Sequence, residues 1–448
     1  MIGGGPAGLA TAIRARLAGL SARVLERARP PIDKACGEGL MPDAVARLGE
    51  LGVELARDEC WRFRGIRYVD GEVTAEGLFP RAGGRPAAAG WDACGLGVRR
   101  LHLHQALARR AAELGVELCW GVAALGLAPA GAAAPAAAAT GAAAAGPAAA
   151  AAGPGIGSAA GPGSVAAAPP VAGAFTDRPG LEVAAARWVI GADGLRSRVR
   201  QWAGLEGPPA RRRRFGVRRH FACRPWSDMV EVWWGPRCEA YVTPVGPREV
   251  GVAMLWSEGK AGFDELLARF PALAARLAGA PPTSRDRGAG PLAQRARAVC
   301  RGNVALVGDA SGYVDAITGE GLAVALHQSA ALIEALTPRP RPGRRDAAAG
   351  VEAAGESEAP GDLDQRAAAA AMARYAAAHR RIGRLPGNMA ELMLAIERRP
   401  WLRRRVVRAL AAEPALFSRL LGIHARTLPP ARLGIDGALR LVYRLVTA

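Results

Sequence analysis

Apolar and polar positions along the chain change period several times. Leu9 to Gly19 carries its apolar residues at helical spacing, and the short apolar run Ala22 to Leu25 behind it reads as a strand. A second helix is predicted from Asp43 to Leu51, with Val45, Leu48 and Leu51 on one face and Asp43 as its cap. Strand-like runs follow at Gly65 to Val69 and Val73 to Leu78, and from Val98 the pattern is helical again through Leu103, Leu107, Ala111 and Leu114. Trp188-Val189-Ile190 reads as a buried strand. Residues 215–256 alternate as four antiparallel strands with bulky residues on both faces, and the parity of the inward face is not readable. Val304 to Val307 is a further buried strand, followed by a helix from Leu322 to Leu336. Gln365 to Thr447 is helical, with breaks expected at Pro386, Pro400, Pro414 and Pro429-Pro430. Two tracts, 126–174 and 337–366, are poor in large aliphatics and read as loops. Strands and helices alternate at the start of the chain and again over residues 188–336, as in an α/β protein.

The turns between these elements carry the candidate chemistry. Gly3, Gly5 and Gly8 fit G-x-G-x-x-G between a first strand and a first helix, and Glu26 closes the next strand eighteen residues past Gly8. Such glycines let a dinucleotide pyrophosphate approach bare backbone at a helix N-terminus, and the acid accepts hydrogen bonds from a ribose. The strand before the glycines is only Met1 and Ile2, so a few apolar residues are expected upstream; without them nucleotide affinity and stability should suffer. Asp193, in Gly191-Ala192-Asp193-Gly194, stands at a strand's carboxyl end, where doubly wound sheets bind ligands; the alternative is a helix cap. Gly308-Asp309 follows the strand at 304–307, and Gly319, Glu320, Gly321 and Leu322 lead into the next helix, whose N-terminal amides suit an electron-rich ring.

Other positions leave alternatives open. The loop Asp33 to Pro42 holds Cys36 between glycines, as either a tight turn with a buried thiol or a loop against a cofactor. Arg100 heads a helix beside Arg99, and His102 and His104 read as ordinary polar positions rather than metal ligands. Arg219, His220, Trp226, Trp233 and Tyr241 are candidate pocket residues of the antiparallel block. Arg211 to Arg214 reads as a solvated loop, with a nicotinamide-phosphate contact as the minority alternative.

Composition changes this picture little. A net charge of +19 would suit nucleic acid, but all basic residues except Lys34 and Lys260 are arginine, which with abundant Ala, Gly and Pro reflects coding bias, and no nucleic-acid module is present. From Arg398 to Ala448 eleven arginines face only Glu413 and Asp436, a surplus of nine; this region reads as a helical cap, with a membrane-surface face as the alternative. Seven cysteines without C-x-x-C disfavour zinc, iron–sulfur and disulfide frameworks, and no metal site is expected. With no signal peptide or bilayer span read from the sequence, a soluble cytoplasmic protein is expected, with peripheral membrane contact through the basic C-terminal helices as an added expectation.

Taken together, the GGGPAG segment with Glu26, the GADG segment with Asp193 and the GD segment with Asp309 resemble the FAD fingerprints of the aromatic-hydroxylase (group A flavoprotein monooxygenase) and geranylgeranyl-reductase superfamily. The match spans residues 1–340 apart from 126–174. It implies an α/β fold with a doubly wound, Rossmann-like FAD-binding domain at 1–62, 97–210 and 295–340, an inserted antiparallel β-sheet substrate-binding domain at 63–96 and 211–294, a linker at 337–366 and a helical region at 367–448. By the same resemblance, FAD contacts fall to Gly3, Gly5, Pro6, Ala7, Gly8, Glu26, Arg27, Cys36, Gly37, Arg100, Asp193, Gly308, Asp309, Gly319, Glu320, Gly321 and Leu322. Cys36, His220 and Tyr241 are the candidate proton or substrate contacts. The implied activity is an FAD-dependent oxidoreductase taking hydride from NAD(P)H. Lys34-Ala35-Cys36-Gly37-Glu38-Gly39 is similar to the reductases' Cys-Gly loop, and Gly312 replaces the hydroxylases' usual His. The reductases' Tyr-x-Trp-x-Phe-Pro strand, however, reads Glu239-Ala240-Tyr241-Val242-Thr243-Pro244, and the halogenases' Trp-x-Trp-x-Ile-Pro is missing. The balance favours a monooxygenase acting on a small or lipid-like substrate through a flavin C4a-hydroperoxide. The alternatives are a reductase of carbon–carbon double bonds and, from another class, a non-catalytic flavin-binding membrane-surface partner.

Overall fold

The structure, a computed structural model, describes residues 1–80, 94–129, 171–257, 259–337 and 360–447. Its organising layer is a parallel sheet in the order Glu117–Trp120, Arg23–Glu26, Ile2, Val189–Gly191, Val304–Leu306, edged by the antiparallel pair Cys300–Arg301. The first strand is reduced to the single bridging residue Ile2, yet it joins both halves. The Ile2 N–H donates to Ile190 O at 2.8 Å and the Gly3 N–H to Leu25 O at 2.9 Å. Helices Pro6–Leu17, Arg100–Glu113 and Gly321–Leu336 cover one face, burying Leu9, Ile13, Leu107 and Leu326 against Val24. Each such side chain contributes about 1.5–3 kcal/mol by leaving water. A three-stranded antiparallel sheet, Ala124–Pro129, Val171–Thr176 and Val183–Ala185, covers the other face. The α/β, doubly wound architecture implied by the resemblance is therefore present.

A seven-stranded mixed sheet stands beside this layer, ordered Arg287–Ala289, Phe215–Phe221, Glu249–Trp256, Cys238–Gly246, Val230–Gly235, Gly65–Asp70, Val73–Leu78. Short helices Phe263–Leu267 and Pro271–Leu277 close one of its faces. The opposite face meets helices Pro400–Ala412 and Pro414–His424. A small sheet of Gly39–Leu40, Gly95–Val98 and Cys60–Phe63 links the two bodies.

Several expectations need correction. Residues 124–129 and 171–176 pair as strands, so the ends of the 126–174 tract are sheet, while 130–170 lie outside the described residues. Of the 337–366 stretch, 338–359 lie outside the described residues, and a helix already begins at Pro360. That helix, Pro360–Glu397, runs on through Pro386 instead of breaking there. Proline removes the amide that would bond Ile382 O, and the Arg426 guanidinium donates to that carbonyl instead, at 3.0 Å. Asp43 does not cap its helix, whose N-cap is Met41; its carboxylate accepts from His327 Nε2 at 2.7 Å.

Candidate functional site

The two bodies enclose a cavity of about 1070 Å³. One end is polar and glycine-rich, lined by Gly5, Pro6, Ala7, Arg27, Arg100, Asp193 and Asp309. The glycines shape it by absence. A Cβ on Gly3, which has φ +107°, would sit 2.4 Å from Ala192 O, and one on Gly8 would sit 1.9 Å from Gly3 O. The helix Pro6–Leu17 therefore starts hard against its own strand, with no side-chain cap and no acid in its first turn. Gly319, Gly321 and Leu322 bring a second uncapped helix N-terminus to the cavity, that of Gly321–Leu336. Both N-termini leave amides for an anion or an electron-rich ring.

Arg100 is buried, and its Nη1 has no partner among the described residues. Burial pulls its pKa down, and Asp309, Glu38 and Cys36 oppose that shift. Burial pushes the Asp309 carboxyl up, against the pull of Arg100 and Lys34. An unpaired buried guanidinium, a glycine cradle and an inward carboxylate fit a dinucleotide with a pyrophosphate and hydroxyls. FAD's isoalloxazine ring, when bound, supplies two-electron chemistry there.

Not every expected contact lines the cavity. Gly3, Gly8 and Gly308 act through backbone shape; Gly308, at φ +61°, donates its N–H to Gln328 Oε1 at 2.7 Å. Glu26 accepts from the Gly4 and Ala28 amides at 2.8 and 2.9 Å, so its carboxylate braces the glycine loop. Asp193 borders the cavity but spends its oxygens on the next helix, accepting from Ser197 Oγ at 2.6 Å and the Arg198 N–H at 2.7 Å. Glu320 is buried, with Oε2 3.4 Å from His424 Nδ1.

The loop at 33–39 forms the wall between the polar end and the mixed sheet. Cys36 and Gly37 line the cavity. Burial raises the Cys36 pKa, keeping it a thiol, and its Sγ accepts from the Glu38 N–H at 3.4 Å. Glu38, which no sequence pattern singled out, sits at φ +60°, a region rare for side-chain-bearing residues. Its Oε1 accepts from the Arg100 N–H at 2.7 Å and its Oε2 lies 2.5 Å from His220 Nε2. His220 is therefore behind the wall rather than on it. Its Nδ1 meets Arg218 Nη1 at 2.9 Å and Ser284 Oγ at 2.8 Å. Arg218 can only donate, so Nδ1 accepts and the Nε2–H points at Glu38. The result is a hydrogen-bonded chain from half-exposed Ser284 through His220 to a carboxylate at the cavity.

The far end is apolar. Phe63, Ile66, Val230, Val232, Trp234 and Tyr241 from the sheets face Val406, Leu410, Phe417 and Leu421 from the C-terminal helices. Burial pushes the Tyr241 pKa well up, and its hydroxyl donates to Ile317 O at 2.9 Å. Trp234 Nε1 is buried without a partner among the described residues. The parity is thus settled. Trp233 packs with Phe263 and Leu273 on the opposite face, and Trp226 sits beside that cluster. Arg219 stacks over Phe263 at 4.3 Å, so all three leave the pocket list. The Arg211–Arg214 run is also not wholly solvated, since Arg214 is buried among Glu239, Asp315 and Glu397.

No family model matches the chain. Its fold follows a flavoprotein/dehydrogenase from Cytophaga hutchinsonii over 100% of this chain and 99% of that one, with a TM-score of 0.68 at 15% identity. A probable FAD-dependent monooxygenase from Pseudomonas aeruginosa is matched over 89% of this chain and 96% of that one, with a TM-score of 0.61 at 16% identity. For a geranylgeranyl bacteriochlorophyll reductase-like protein from Thermoplasma acidophilum, the shares are 98% and 94%, the TM-score 0.58 and the identity 18%. The fold is that of the FAD-dependent flavoproteins. Within this flavoprotein fold the sequence is similar to a menaquinone reductase of Mycobacterium tuberculosis, 34% identical over 127 residues. That match covers 28% of this chain and 29% of the reductase. A menaquinone reductase of Mycolicibacterium smegmatis is 46% identical over 67 residues, 15% of this chain and 16% of that protein.

Proposed function

We propose that the chain is an FAD-dependent oxidoreductase that takes electrons from NAD(P)H and reduces a carbon–carbon double bond in a long, isoprenoid-like lipid. The observation that carries this reading is the two-ended cavity, a glycine-rich polar end continuous with an apolar chamber between the seven-stranded sheet and the C-terminal helices. A chamber walled by Val406, Leu410 and Phe417 suits a hydrocarbon chain, because every buried methylene adds about 0.8 kcal/mol. The partial likeness to menaquinone reductases points the same way. In this reading the seven-stranded sheet and C-terminal helices form the substrate-binding part.

The glycine loop and Arg100 would hold the pyrophosphate, Asp309 the ribityl hydroxyls, and the Gly321 helix N-terminus the ring. Arg100 also fixes Glu38 through its backbone amide. Glu38, held also by the Nε2–H of His220, would place its carboxyl group at the cavity wall, where the neutral Cys36 thiol would be the donor. Trp234 Nε1 donates to an acceptor on the substrate, and the apolar wall keeps water out.

A hydroxylating monooxygenase is the second reading, supported by the departure of residues 239–244 from the reductases' aromatic strand. Product mass separates the two. FAD-loaded protein is incubated with NADPH and a polyprenylated quinone, with and without oxygen. A product whose prenyl chain keeps two added hydrogens after the ring is reoxidised to the quinone, formed without oxygen, supports the reductase. A product gaining one oxygen atom, formed only with it, supports the monooxygenase.

A further inference from the structure

The last helix, Gly434–Thr447, presents apolar residues to two opposite sides. Leu441 and Leu445 line the far end of the cavity. Ile435, Leu439, Val442, Tyr443 and Val446 face away from the protein and are 81%, 63%, 58%, 63% and 69% exposed. These five positions repeat at helical spacing and form one continuous stripe, so they are not scattered surface leucines. Asp436 and Arg440 pair with each other along one edge of the stripe, and Arg444 pairs with Glu413 nearer the protein.

We propose that this helix docks on an anionic lipid bilayer through its outward stripe, setting the apolar end of the cavity against the lipid. Three observations select a bilayer over other occupants. The stripe continues, through the thickness of one helix, into the cavity wall. The segment from Arg398 to Ala448 carries a surplus of nine positive charges, the complement of an anionic headgroup layer. Trp401, on the neighbouring helix Pro400–Ala412, is 62% exposed beside exposed Arg404 and Arg405, the pairing of amphipathic ring and cation that suits a membrane interface. Among the described residues no helix is long and apolar enough to cross a membrane, so the contact is with one leaflet. Supply of a lipid substrate from that leaflet follows only if the reading in the preceding subsection holds; the docking itself does not depend on it.

The test is sedimentation of the full-length, FAD-loaded protein with vesicles of phosphatidylcholine, alone or mixed with phosphatidylglycerol. Binding is expected to the mixed vesicles, weakening as salt rises. The variant carrying Ile435→Gln, Leu439→Gln and Val446→Gln should bind them about a hundredfold more weakly, because three apolar side chains no longer leave water. All three side chains are exposed, so its melting temperature and flavin content should match the parent's. Failure of the parent to bind mixed vesicles overturns the proposal, as does binding that the triple variant keeps. So does a dimer or a protein complex that the triple variant dissolves while vesicle binding is absent, since a protein would then cover the stripe. Flavin content, measured on the same samples, reports separately on the functional reading.

Discussion

Replacing Glu239 by glutamine is expected to stabilise the protein above neutral pH and to leave it unchanged near pH 5. Four buried groups meet where Arg214 donates to Glu239 at 2.6 Å and lies 3.1 Å from Asp315 and 3.5 Å from Glu397. One guanidinium cannot neutralise three carboxylates. Burial pushes the Glu239 pKa from 4.5 up to about 7, with Arg214 opposing, and raises Asp315 as well. The folded protein therefore holds a proton between pH 4.5 and 7 that the unfolded chain releases. Glu239 contributes most below pH 4.5, and the contribution is lost as pH rises through about 7; the shift corresponds to about 3 kcal/mol. Glutamine imitates the protonated form at every pH and should recover about 2 kcal/mol of this at pH 8.5. Arg214→Met should cost about 3–5 kcal/mol at pH 8, because it strands the carboxylates. Denaturant unfolding of the three proteins from pH 5 to pH 9 measures this. A glutamine variant with the parent's pH slope, or one weaker than the parent at pH 8.5, would refute the reasoning. The cluster also matters for the site, because Asp315 bonds the Ile317 N–H, and Ile317 O accepts from Tyr241.

Further outcomes follow from other contacts. Gly8→Ala should empty the protein of flavin and lower its melting temperature, since the new Cβ would stand 1.9 Å from Gly3 O; absorbance of the purified protein checks it. Arg403→Leu should cost about 3–5 kcal/mol in denaturant, because Asp70, which Arg403 holds at 2.9 and 3.0 Å, is left charged and buried. Adding Asp70→Asn should recover part of that loss. Burial lowers the His379 pKa from 6.5 to about 4, so the folded state binds fewer protons in that window. Stability should fall by up to about 3 kcal/mol as pH drops from 6.5 to 4, and His379→Asn should remove that slope in acid titrations of unfolding.

The parts of the site legible in the sequence are those that one residue type alone can build. Gly3 and Gly8 were readable because a Cβ at either position meets backbone, and only glycine avoids it. Strand and helix periods placed the parallel layer for the same local reason. What escaped depends on partners far along the chain. Glu38 owes its role to a positive φ and to His220, neither of which leaves a local signal. Arg214 looked like one of four solvated arginines until Glu239, Asp315 and Glu397 closed around it. Trp233 was the candidate and its neighbour Trp234 is the one at the cavity, because both faces of their strand are buried, one by helices and one by the cavity. Pro386 signalled a break that Arg426 repairs.

The central claim is that one cavity holds FAD at its glycine-rich end and a long apolar lipid at the other. Separating the two ends tests it most directly. Flavin content and polyprenyl-quinone affinity are measured on the parent, on Asp309→Ala and on Val406→Trp, which fills the apolar chamber. The account predicts one flavin per chain in the parent, its loss in Asp309→Ala, and full flavin with weakened quinone binding in Val406→Trp. Flavin retained by Asp309→Ala, or quinone affinity unchanged in Val406→Trp, would contradict it.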